Sequence, residues 1–132
     1  MARQVVPDSH EDLLTRPLFC HFGTLRADGA PQVNPMWVLW EDGELSFSTS
    51  TTRVKYANVT RDDRVSVSVN DPERPYRYLE VRGRVHRIEP DTEGVFFRRL
   101  ADRYGRELGG ALPPDVLTRV RLVVRPETAR CQ

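Results

Sequence analysis

Cysteine is scarce: Cys20 and Cys131 are the only two in 132 residues, too few and too far apart in sequence to resemble a disulfide framework or a zinc cluster. Both are expected to be reduced thiols of minor structural weight. Metal-ligand spacing is missing among His10, His21 and His86 as well, and no catalytic triad is visible. An excess of one charge is absent too, because twenty Lys plus Arg face nineteen Asp plus Glu and leave a formal net charge of +1. That balance lacks the broad positive field of a nucleic-acid binder and requires any anion site to be local. No apolar run approaches the ~20 residues that span a bilayer, and no charged-then-apolar leader opens the chain. A cytoplasmic protein without membrane association is therefore the default expectation. Internal repeats and low-complexity tracts are also lacking. Lysine is nearly absent: nineteen of the twenty basic residues are arginine, and the exception is Lys55.

What is present, 39% hydrophobic and 30% charged residues spread over the whole length, fits one soluble globular domain spanning 1–132 with a modest core. A domain this small buries a low fraction of its surface, so a second subunit covering an apolar face would add considerably to its stability.

Near the N-terminus, "PDSHEDLLTRP" offers Asp8 or Ser9 as a helix cap with Glu11 and Asp12 in the first turn, and Pro17 stops the helix. Residues 18–25 and 32–40 read as a hairpin around an Asp28-Gly29 turn. "EDGE" at 41–44 then leads into "LSFSTS", where Leu45 and Phe47 alternate with Ser46 and Ser48, so three strands in a meander are expected. A short helix is predicted to open near Thr52 and cover 53–61. In "RVSVSVN" (64–70) Val65, Val67 and Val69 alternate with Ser66 and Ser68 as a half-buried strand. A proline-bearing loop at 71–77 precedes a long strand at 78–89, in which Gly83 marks a bulge or a sharp bend. Over 91–105 the period changes: Phe96, Leu100 and Tyr104 recur four apart, Arg98, Arg99, Asp102 and Arg103 fall on the other side, and Gly105 ends the helix. After a loop, 117–125 alternates again as the closing strand. The expected fold is mainly β, of the α+β kind: a six-stranded antiparallel barrel with two or three short helices.

The stretch "STSTTRVK" (48–55) concentrates the features of an anion cradle. A strand end presents the hydroxyls of Ser48, Thr49, Ser50, Thr51 and Thr52, and the following helix N-terminus offers unpaired N–H groups. Arg53 can grip two oxygens with its planar fork, and Lys55 supplies a movable point charge. The alternative is that the hydroxyls merely cap the helix while the cations are solvated. Two other stretches leave alternatives open. Trp37 and Trp40 alternate with Val38 and Leu39, as in a core or a subunit interface, against ligand contact by Met36 or Trp37. Arg82, Arg84 and Arg87 form either a solvated strand face or a basic rim.

The run "FGTLRADGAPQVNPMWVLWEDGELSFSTSTTRVKYANVTRDDRVSVSVNDPERPYRYLEVRGRV" resembles the pyridoxamine 5′-phosphate oxidase-like split β-barrel superfamily. More narrowly, it resembles the actinobacterial flavin/deazaflavin oxidoreductases that commonly use coenzyme F420. The likeness covers roughly residues 12–125. It is carried by Gly23-Thr24-Leu25 and the hairpin after it, by Arg53-Val54-Lys55 following hydroxyls, and by "PYRYLEVRGRV" at 75–85. The resemblance implies an FMN-binding-type split barrel and a homodimer with cofactor sites in the grooves between subunits. It implies that Ser48, Thr49, Ser50, Arg53 and Lys55 hold the cofactor phosphate, and that Gln32, Asn34, Pro35, Met36 and Trp37 lie along the tricyclic ring. It also implies that the Pro75-Tyr76 loop reaches the site of the partner subunit. Asn58, one turn beyond Lys55, either adds a hydrogen bond or lies exposed on its helix.

A flavin or deazaflavin carries its own hydride chemistry and asks of the protein only position, electrostatics and a sheltered face, which agrees with the missing triad. The expected function is an F420-dependent reductase of small unsaturated or oxidised organic molecules. An FMN enzyme of the same fold, or a carrier of F420 without turnover, are the alternatives. "RPETARCQ" at the C-terminus gives no match to the substrate-binding arginine and histidine of pyridoxamine phosphate oxidases proper, which argues against vitamin B6 oxidation.

Overall fold

The computed structural model describes residues 4–132. Seven strands, β1 (Cys20–Leu25), β2 (Pro31–Met36), β3 (Leu39–Glu41), β4 (Glu44–Ser50), β5 (Arg64–Asn70), β6 (Tyr78–Pro90) and β7 (Arg119–Cys131), form one antiparallel sheet in the order β2-β1-β5-β6-β7-β4-β3. Three helices, α1 (Asp12–Thr15), α2 (Val54–Arg61) and α3 (Val95–Arg103), pack around it. The architecture is a mainly-β split barrel.

Six strands become seven because the run expected as one strand over 32–40 breaks at Trp37 and Val38. The break closes the barrel. β2 and β3 lie at opposite ends of the strand order, yet Met36 and Leu39 are three residues apart, a span of no more than about 11 Å. The sheet must therefore curl until its two edges meet. For the same reason the expected meander is not formed: β1–β2 and β3–β4 are separate hairpins, and β4 pairs with β7. Backbone groups at the break find side-chain partners instead of a ladder. Val38 N–H donates to the Tyr104 hydroxyl at 3.0 Å, and its carbonyl accepts from Arg103 Nε at 3.0 Å.

Alternation explains the interior. Val65, Val67 and Val69 of β5 point inward with Leu79, Val81, Leu122 and Val124. Phe22 and Phe47 meet at the centre with their rings 4.5 Å apart. Gly83 does mark a bulge: the β6–β7 register shifts between Arg82 and Gly83, and again between Val85 and Arg87. β7 runs to Cys131, well beyond the expected end at 125, and pairs with β6 along its full length.

The N-terminal helix differs from expectation. A 3-10 turn at Asp8–His10 precedes the four-residue α1, and neither Asp8 nor Ser9 caps it. Its C-terminal carbonyls are held from outside. Arg103, expected on the solvated side of α3, is half-buried and donates to the carbonyls of Leu14 (2.7 Å), Thr15 (3.2 Å) and Arg16 (2.9 Å) as well as Val38. A planar fork with five donors suits this task and an ammonium does not. Arg103→Ala is expected to destabilise the protein by about 2–3 kcal/mol in urea unfolding, with Arg103→Lys recovering less than half. A second tie joins Arg77 to Asp12 at 2.6 Å and to Asp71 at 3.4 Å. The Arg77 guanidinium beside Asp12 holds that carboxyl down at about 2.

Candidate functional site

At the seam of the barrel, the end of β4, the start of α2, the break after β2 and one face of α3 enclose a groove of about 530 Å3. It is lined by Ser48, Thr49, Arg53, Lys55 and Arg119 on the polar side, and by Pro35, Met36, Trp37, Phe19 and Phe97 on the apolar side, with Arg106 at the rim and Leu100 beneath. Four cations line it and no carboxylate does.

Lys55 is half-buried, not turned to bulk solvent. Burial pushes its pKa below the ordinary lysine range, and the positive charges of Arg53 and Arg119 push it further. Arg119 is partly neutralised by Asp115, so the repulsion that remains is chiefly between Lys55 and Arg53, and an anion between them would relieve it. Among the described residues Arg53, Lys55 and Arg106 have no acidic partner, a condition they share with Arg61, Arg74, Arg98, Arg103, Arg125 and Arg130 outside the groove; what sets them apart is that they converge on one carboxylate-free groove.

The hydroxyls divide by role. α2 starts at Val54 rather than near Thr52, with Arg53 at its N-cap and no side-chain cap, so its first-turn N–H groups are not taken by the hydroxyls. Ser50 is fully buried, 2.6 Å from the Thr118 hydroxyl and 3.0 Å from that of Thr52, and belongs to the framework of the turn. Ser48 and Thr49 both border the groove, Thr49 almost wholly buried on the face it shares with Leu45 and Phe47, and Ser48 Oγ accepts from Arg119 at 3.4 Å.

Gln32, Asn34 and Asn58, expected at the cofactor, do not line this groove. Asn58 is neither exposed nor free: at 2% exposure it donates to Thr24 Oγ1 (2.9 Å) and Gln32 Oε1 (3.3 Å) and accepts from Arg61 (3.0 Å). Gln32 in turn donates to Asn34 at 3.2 Å. This network ties α2, which carries Lys55, to β1 and β2, which lead into Pro35–Trp37. Pro75 and Tyr76 also lie away from the groove of their own chain, in a separate hollow with His10, Arg74, Arg77 and Gln132. Tyr76 is 86% exposed there.

Residues that sequence reasoning missed are Phe19, Phe97, Leu100, Arg106 and Arg119. Arg119 is the most consequential. Opposite Ser50 in the β4–β7 register, it pairs with Asp115 at 3.0 Å and lies 5.0 Å from the Phe97 ring centre. Its signal was the alternation of 117–125, which shows that Arg119 and Arg121 share a face but not that β4 is the neighbour. Phe97 is placed by Asp91, which accepts the N–H groups of Phe96 and Phe97 at 3.0 Å each and so fixes the start of α3. Among the described residues no group of three or more His, Cys, Asp or Glu could hold a metal, and no helix is long and apolar enough to cross a membrane. The only buried thiol, Cys20, is pushed up to about 12 by burial and is inert as a nucleophile.

A curled antiparallel sheet with a cationic, carboxylate-free groove at its seam defines a split-barrel protein. Residues 6–132 match the family model described as pyridoxamine 5′-phosphate oxidase, and the chain belongs to that family. An F420 reductase is similar over 95% of this chain and 98% of its own, with 48% identity and a TM-score of 0.91. General stress protein 26 of Bacillus anthracis shares the fold at 21% identity and a TM-score of 0.69, covering 91% of this chain and 88% of its own. A conserved hypothetical protein of Mycobacterium tuberculosis does so at 23% identity and 0.71, covering 99% and 88%. No curated protein matches.

Proposed function

We propose that the chain is an F420-dependent oxidoreductase that passes hydride from reduced deazaflavin to a small unsaturated or oxidised organic molecule. The observation that carries this reading is the groove lined by four cations without a carboxylate, beside an apolar wall. The likeness to an F420 reductase over nearly both full lengths supports it.

The donor set fits a phosphate ester. Lys55 offers a mobile ammonium, Arg53 a fork, Ser48 and Thr49 hydroxyls, and α2 its first-turn N–H groups. Pro35, Met36, Trp37 and Phe97 offer the flat apolar surface that a tricyclic ring requires, and they exclude water from it. F420 bound there would supply two-electron hydride chemistry, so the protein needs no nucleophile of its own. Arg119, held by Asp115, keeps the field in the groove positive.

A homodimer completes the proposal. The outer sheet surface around Gly23, Val33, Ser66 and Gly83 carries an open hollow of about 640 Å3, lined by residues of β1, β2, β5, β6 and β7 and edged by Arg64, Arg82, Arg84 and Glu127, with Val33 61% exposed. An exposed apolar surface of this sort suits a second copy, and the protruding Tyr76 of the partner subunit would then be free to reach the groove.

Titration with F420 and with FMN at low and high salt, followed by fluorescence quenching, tests the reading. Tighter binding of F420, weakening as salt rises, is the expected result. A preparation that is yellow with bound flavin and indifferent to F420 would replace F420 by FMN. Tight F420 binding without hydride transfer to any quinone, enone or tetrapyrrole would make the protein a carrier.

A further inference from the structure

We propose that Arg106 recognises an anionic group on the hydride acceptor, so that the groove favours a flat conjugated molecule bearing a carboxylate over its uncharged analogue. The inference rests on the reading of the groove as a redox-cofactor site.

Arg106 is positioned by backbone geometry. Gly105 takes a left-handed conformation at φ 68°, its N–H donates to Asp102 O at 3.1 Å, and the Arg106 N–H donates to Ala101 O at 2.8 Å. These two reversed bonds close the C-terminus of α3 and fix where the Arg106 side chain departs. Its guanidinium carbon stands 5.9 Å from the centre of the Trp37 ring. Trp37 is itself immobilised, stacked on Tyr104 at 5.1 Å and 14°, while the Tyr104 hydroxyl donates to Leu18 O at 2.7 Å. Phe19, 64% exposed, extends the aromatic surface on the same side of the groove.

A cation on a rigid aromatic platform without an acidic partner is a station for an anion that is also flat. Two neighbouring arginines of the same region differ in this respect: Arg99 pairs with Glu41 at 2.6 Å and Arg119 with Asp115 at 3.0 Å. Arg106 also comes from a different element than the phosphate cradle: it follows the C-terminus of α3, whereas Arg53 and Lys55 stand at the start of α2. With the phosphate at Lys55 and the ring against Pro35–Trp37, the oligoglutamate tail of F420 leaves the phosphate on the side away from the ring. The acceptor then stacks on the face of the ring turned away from Pro35–Trp37, at the open rim of the groove, and a carboxylate on it meets Arg106 there.

The test uses anthraquinone-2-carboxylate and anthraquinone-2-carboxamide, titrated calorimetrically into F420-loaded protein. Preference for the carboxylate by about tenfold is expected for the wild type, and a ratio near one for Arg106→Ala; Arg106→Lys should keep part of the preference. A wild-type ratio near one, or a ratio that Arg106→Ala leaves unmoved, overturns the proposal. So does an Arg106→Ala protein that has instead lost its preference for long-tailed over short-tailed F420, because Arg106 would then belong to the cofactor. Should the protein take up no F420, the cofactor reading falls by itself, and the same two titrations on unloaded protein still read the preference of Arg106.

Discussion

Lys55→Met is expected to weaken F420 binding roughly ten- to a hundredfold at neutral pH while the unliganded protein melts no lower than the wild type. The first half follows from the loss of one charge-assisted contact to phosphate, about 1.5–3 kcal/mol, at about 1.4 kcal/mol per decade. Adding Arg53→Ala should cost more than either change alone but less than their sum, because both cations converge on one anion. The second half follows from the sign of the Lys55 shift. Its pKa in the folded protein lies below the ordinary lysine value because burial, Arg53 and Arg119 all disfavour the ammonium. Between the lowered and the ordinary value the unfolded chain binds more protons, so stability rises with pH there, and at neutral pH the charged lysine costs the fold its full penalty. Methionine removes that penalty and keeps the packing of the stem. A residue that weakens the empty protein and strengthens the complex is what a binding site requires.

The pH dependence of binding carries the same sign. F420 affinity should hold steady until the pH reaches the lowered pKa of Lys55, then decline as the ammonium loses its proton. Lys55→Arg, which does not titrate in that range, should flatten the decline. Fluorescence titrations between about pH 7 and 10.5 measure both curves. A Lys55→Met protein that binds F420 as tightly as the wild type would remove the cradle from the account.

Gly83→Ala should lower the melting temperature by about 10 °C or more and reduce the soluble yield. A Cβ built at position 83 meets the Arg125 carbonyl oxygen at 2.2 Å, the Arg125 carbonyl carbon at 3.0 Å and the Pro126 Cα at 3.1 Å. Each of these is backbone of β7, so no side chain can swing aside, and the two strands must part at the bulge. β6–β7 is the longest pairing of the sheet, from Leu79 against Cys131 to Pro90 against Val120. Overpacking of this kind costs about 3 kcal/mol, and each kcal/mol is worth about 4 °C in a domain of this size. Gly23→Ala is the control: its Cβ would come no closer than 3.4 Å to any atom, at Ser66 O, and its effect should stay within about 1 kcal/mol. Equal melting of the two variants would show that the bulge yields without cost.

Period carried much of the fold in the sequence. The valine–serine alternation of 64–70 became β5 with the expected bounds, Gly83 became a bulge, and the four-residue recurrence of Phe96, Leu100 and Tyr104 became α3 with Gly105 closing it. Partnership was not legible. Periodicity reports which face of a strand is buried but not which strand lies beside it, so the long jump from β4 to β7, and with it the arrival of Arg119 beside Ser48, stayed hidden. The break at Trp37–Val38 was hidden for a related reason: the groups that replace its ladder bonds, on Arg103 and Tyr104, are more than sixty residues away in sequence. In the groove, Pro35, Met36, Trp37, Ser48, Thr49, Arg53 and Lys55 do come together. Asn58 and Gln32 stand behind the groove rather than in its lining, a difference the sequence does not carry because a polar side chain next to a cradle looks the same there whether it faces the groove or braces the helix behind it.

The most direct test of the central claim is a structure of the protein with F420 bound. The account predicts the phosphoryl oxygens within hydrogen-bonding distance of Lys55 Nζ and the Arg53 guanidinium, at the start of α2. Coenzyme density elsewhere on the molecule, with both cations facing solvent, would contradict it.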